Sequence, residues 1–69
     1  MSAAQQLAEQ VQQIQQAYQS GQISPAEYKE LINNMNLVET INSNAATFDQ
    51  EQEARAIILG AIQLAGAIY

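Results

Sequence analysis

The sequence predicts an all-α fold, and three observations carry that expectation. Apolar residues recur at spacings of three and four along most of the 69 residues. A sharp helix stop followed by a helix start sits at residues 21–28. The stretch 56–69, AIILGAIQLAGAIY, holds only Gln63 as a polar side chain, yet the residues before it are rich in glutamine and asparagine. The expected unit is one domain over 1–69, with helices at about 3–20, 25–43 and 50–68. It is a hairpin plus a third helix, completed by self-association or by docking on a larger partner.

The first helix is expected from a cap at Ser2 to Ser20. Ala4, Leu7, Val11, Ile14 and Tyr18 form a narrow seam at heptad-like spacing. Gln5, Gln6, Gln10, Gln12, Gln13, Gln15, Gln16 and Gln19 fill most of the remaining positions. Glutamine is a good helix former without charge, and the regular apolar interruptions favour an ordered amphipathic helix over a low-complexity tract.

Gly21 suits the position just past a helix end, where positive φ is needed. Ser24 is a natural N-cap, Pro25 fits the first helical position and Glu27 completes a capping box. Ile23 and Tyr28 sit where a hydrophobic staple belongs. A tight helical hairpin follows.

In the second helix Tyr28, Leu31, Ile32, Met35 and Val38 share one face. Past Asn33, Asn34 and Asn36 the apolar direction swings by about a quarter turn to Leu37, Ile41 and Ala45. Either the helix breaks or bends among the asparagines, or its far half faces a different neighbour. A continuous helix to about Ser43 is favoured, its second patch meeting helix three or another subunit, with Asn42, Ser43 and Asn44 as the terminator. A short link, 45–48, leads to helix three, capped by Thr47 or Asp49. Phe48 is expected to plug the junction between helices two and three. Asp49, Glu51 and Glu53 lie near the positive end of helix three's dipole.

On a wheel of about 100° per residue, Ile57, Ile58, Ile62, Leu64, Ile68 and Tyr69 make a bulky arc. Ala56, Gly60, Gln63 and Ala67 make a smooth opposite face, with Leu59 on the border. Small residues let a second backbone approach, and they also tolerate water, so this face is either an interface or solvent-facing. The expected interface set is Leu37, Ile41, Ala56, Leu59, Gly60, Gln63, Leu64 and Ala67, because a thin first helix leaves much apolar surface for other chains to cover.

Composition narrows the function classes. With no cysteine and no histidine, disulfides, thiolate metal sites and the commonest acid–base group are missing. A net charge of −5, from seven acids against Lys29 and Arg55, opposes binding to nucleic-acid phosphates and anionic headgroups. Glycines 21, 60 and 66 are isolated and make no phosphate loop. The acids do not converge as catalytic pairs do. No enzyme activity, cofactor or metal is expected. MSAAQQLAEQ lacks the charged and apolar regions of a secretory signal, so the expected location is cytoplasmic or virion-associated. The closing apolar run falls short of the roughly 20 residues that span a bilayer.

Residues 14–35 resemble the SHOCT-type short helical hairpin, through Gly21, Ile23, Ser24, Glu27, Tyr28 and the following Leu31. That resemblance implies a role in oligomerisation. The hairpin-plus-helix plan is also similar to small proteins of tailed phages, marine ones in particular, which implies a virion component. The leading expectation is therefore a non-enzymatic assembly protein. A small acidic inhibitor or adaptor of a host protein, and a membrane-active chain inserting its last helix, are the alternatives.

Overall fold

The computed structural model describes residues 3–68 and is all-α. Its helices are α1 (Ala3–Gln19), α2 (Pro25–Asn34), α3 (Leu37–Ser43), α4 (Ala45–Gln50) and α5 (Gln52–Gly66). The expected Ser2 cap and the Tyr69 end of the bulky arc lie outside the described residues.

The α1–α2 turn forms as its residues require. Gly21 takes φ +82°, and a Schellman pair closes the helix: the Gln22 N–H donates to Ala17 at 2.8 Å and the Gly21 N–H to Tyr18 at 3.2 Å. Three residues later the Glu27 N–H donates to Ser24 Oγ at 3.1 Å, while the Ser24 N–H donates to Glu27 Oε1 at 3.2 Å. Pro25 occupies the first helical turn, where its missing N–H costs nothing.

The expected unbroken helix over 25–43 is not formed. Asn36 adopts φ 51°, ψ 47°, and it is the one non-glycine residue with positive φ among those described. The reason lies in phase. Leu37 is nine residues past Tyr28, so a straight helix would set it about 180° round, facing water. Both are buried instead, Tyr28 at 0% and Leu37 at 2% exposure. One left-handed residue resets the phase, and asparagine adopts that conformation more readily than most side chains. The expected end of this region holds: α3 stops at Ser43, and Asn44 caps it with its side chain donating to the Thr40 carbonyl at 2.9 Å.

Two further expectations are corrected. The link at 45–48 is the start of a real helix, α4, which carries the buried Phe48. Helix three therefore begins later, at Gln52, and Glu51 precedes it with no side-chain cap. Thr47 and Asp49 lie inside α4 and cannot cap α5.

The core is built on small residues. Ala4, Ala8 and Val11 of α1 are buried, as are Ala54, Ile58, Ala61 and Ala65 of α5, and α1 with α5 is the most extensive helix pairing. Alanines let the two backbones come close. Ile57, Leu64 and Ile68 on one flank and Ile62 on the other pack against this strip as half-buried residues. Gln5, Ala8 and Gln12 share a cleft with Gln52, Ala54 and Ile57. Tyr18, near the other end of α1, stacks on Tyr28, which bonds to Ala61. The two helices thus run in the same direction. The exposed area of 4586 Å² is near the roughly 4,200 Å² of a folded monomer this size. On the last helix and just past its end, Ile58 is buried, while Ile57, Leu59, Ile62, Leu64 and Ile68 stay half-buried.

Candidate interaction surface

Folding separates the eight residues of the expected interface into three groups. Leu37 and Ile41 belong to the core, at 2% and 8% exposure. The phase change at Asn36 turns them inward. Leu59 and Leu64 are half-buried against the core. Ala56, Gly60, Gln63 and Ala67 face outward, and a Cβ added at Gly60 would meet nothing within 4 Å. In a single chain the smooth face is solvent-facing.

Among the described residues the large apolar side chains that remain exposed are Leu31, at 42%, and Val38, at 56%. The helical pattern sets Val38 on one face with Tyr28, Leu31, Ile32 and Met35; in the bent chain it is exposed, as is Leu31. Val38 stands on the rim of an open groove of about 570 Å³ between the α2–α3 elbow and α5. Ile32 and Leu37, both buried, contribute to its lining, and half-buried Ile62 enters from α5. Asn33, Asn36, Asn42 and Ser43 supply neutral polar lining, and Glu39 the one charge. Apolar side chains in a mostly uncharged polar frame suit contact with another protein surface. Sequence alone does not pair Val38 with Ile62, because a bend among the asparagines leaves open the angle at which α3 meets α5.

A second cleft, about 540 Å³, opens between the beginnings of α1 and α5. Ala8, Ala54 and Ile57 contribute apolar lining, and Glu9, Glu51 and Glu53 contribute carboxylates. The acids are thus less dispersed than their sequence positions imply.

The polar contacts of the interior are structural. The Tyr28 hydroxyl donates to the Ala61 carbonyl at 3.1 Å, and its ring stacks on Tyr18 with centroids 4.8 Å apart and planes at 23°. Burial raises the Tyr28 pKa above its ordinary 10.0, a side-chain hydrogen bond with Gln15 lowers it, and Tyr18 adds to the rise. Lys29 Nζ donates to the Ile68 carbonyl at 2.8 Å. A cation just past the end of α5 also meets the negative end of that helix. Among the described residues no three of His, Cys, Asp and Glu gather to hold a metal ion, and no helix is long and apolar enough to cross a membrane.

These features define a small helical protein whose accessible apolar chemistry lies beside the elbow. No family model, no curated protein and no solved structure matches the chain.

Proposed function

We propose that this chain is a non-enzymatic structural or assembly protein that self-associates through the groove between the α2–α3 elbow and α5. The observation that carries the reading is Val38, 56% exposed at the rim of a groove that Ile32, Leu37 and Ile62 also line. A branched apolar side chain held in water beside other apolar groups gains by burial, roughly 1.5–3 kcal/mol for a valine-sized group fully covered. Oligomerisation agrees with what the SHOCT-like hairpin implies, and a small component of a phage virion is the setting that fits the second resemblance.

Sedimentation equilibrium of the wild type and Val38→Lys tests it. The wild type should associate with rising concentration. The variant should stay at 7.5 kDa with its thermal midpoint little changed, since surface substitutions usually stay within about 0.5 kcal/mol. Equal association by both proteins removes the groove from the contact. A single-chain mass for the wild type up to high micromolar concentration removes self-association itself.

The acidic cleft supports a second reading, an adaptor that binds a basic partner surface. Glu9, Glu51 and Glu53 line one concave site there, which is the clustering an acidic inhibitor needs. It would show as salt-sensitive binding by a chain that stays monomeric.

A further inference from the structure

We infer that the elbow at Asn36 is a domain-exchange hinge, through which α3, α4 and α5 of one copy pack on α1 and α2 of a second. The inference rests on the self-association proposed above and recasts its contact: opening the elbow dissolves the groove and carries its exposed Val38 into a seam shared with the second copy.

The chain divides cleanly at this point. α3 packs on α4 and α5, α1 packs on α2, and α5 makes the main contacts between the two halves. If the elbow opens, each half keeps its internal packing. The contacts between halves, including Tyr28 with Ala61 and Lys29 with Ile68, can be remade with the second copy. The contacts within and between the halves can be retained, so what remains is the cost of association, the turning of Leu37 relative to Tyr28 and the preference of the hinge itself. Short connections under strain invite such exchange.

The hinge favours opening on three counts. It is two residues long, Met35 and Asn36, between α2 and α3. Asn36 holds a left-handed conformation with no side-chain capping bond to secure it. No glycine and no proline follows Pro25 before Ser43, so residues 25–43 can run as one helix. In that helix Leu31, Met35 and Val38 fall at i, i+4 and i+7, in one apolar line. Among the described residues Leu31 and Val38 are the two large apolar side chains that the bent form leaves exposed, and Met35 is half-buried. The opened helix thus gains a seam that the same helix of the second copy can cover.

The test uses the full chain and two opposed substitutions. Asn36→Gly keeps the left-handed turn easy and weakens a straight helix, whereas Asn36→Ala does the reverse. From the helix propensities of glycine and alanine, applied once per copy, Asn36→Ala should dimerise on the order of thirtyfold more tightly than Asn36→Gly. The wild type should lie between them. Connectivity is read by placing Gln12→Cys and Glu53→Cys across the α1–α5 cleft in a chain with no other cysteine. A bifunctional maleimide should then join two copies covalently in the dimer fraction and link within one chain in the monomer fraction. A dimer linked only within each chain overturns the exchange while leaving self-association standing. Equal dimerisation by both variants also overturns it, and a monomer in every case overturns both. Should Asn36→Ala fail to fold, a dissociation constant for Asn36→Gly no weaker than the wild type's is sufficient to reject the hinge.

Discussion

Neighbouring residues on α5, Gly60 and Ala61, should respond in opposite ways to added bulk. Ala61 is fully buried, one of the small residues on the face of α5 that also carries Ala54, Ile58 and Ala65, and a larger side chain there has no open space to enter. Ala61→Leu forces extra carbons into a filled space, which typically costs about 1–3 kcal/mol. For a domain this short each kcal/mol moves the thermal midpoint by roughly 4–8 °C. The midpoint should fall by about 12 °C at the centre of those ranges. Gly60 lies outward, with open space where its Cβ would be. Gly60→Ala removes the entropic cost of a mid-helix glycine, about 0.5–1 kcal/mol, and should raise the midpoint by roughly 2–8 °C. Differential scanning calorimetry of the two variants and the wild type reads both effects. An Ala61→Leu protein melting at or above the wild-type midpoint would refute the small-residue contact between α1 and α5.

Other substitutions test single features. Ser24→Ala removes the oxygen that accepts from Glu27 and should cost about 1 kcal/mol by urea unfolding; no change would mean that the capping box contributes nothing. Leu37→Ala should cost about 2–5 kcal/mol as a cavity mutation, whereas a loss of association with unchanged stability would return Leu37 to the interface. Tyr28→Phe deletes the hydroxyl that donates to Ala61 and should cost about 0.5–1.5 kcal/mol. In the wild type the raised Tyr28 pKa means the folded state holds its proton more tightly than the unfolded chain. That contribution is complete below pH 10 and is lost as the pH rises through the folded value. Alkaline unfolding should therefore accompany late phenolate absorbance, and Tyr28→Phe should flatten the pH dependence above pH 10.

The hairpin was legible because its chemistry is local. Gly21, Ser24, Pro25 and Glu27 each act on backbone groups within a few residues, so no knowledge of the rest of the chain is needed. The change of face after Met35 is equally visible, and it admits either a bend among the asparagines or a straight helix with a second neighbour. Sequence periodicity cannot distinguish a straight helix with two partners from a bent one with a single core, and Asn36 is a tolerable residue in either. The buried alanines, Ala8, Ala54, Ala61 and Ala65, were missed because reading a wheel by bulk puts the core where the large residues are. Here those residues flank a close backbone contact. α4 escaped because Thr47 and Asp49 resemble caps, while Ala45 and Ala46 carry no helical period of their own. The groove was illegible for a further reason, since Val38 and Ile62 become neighbours only after the elbow forms.

Isotope-filtered NOE spectroscopy on an equal mixture of ¹³C-labelled and unlabelled chain, at high micromolar concentration, addresses the contact surface directly. Cross-chain signals should arise at the Val38 and Ile62 methyl groups, with exposed Gly60 and Ala67 silent. Cross-chain signals confined to the Ala56–Ala67 side of α5, or no signals together with single-chain diffusion, would contradict association through the elbow groove.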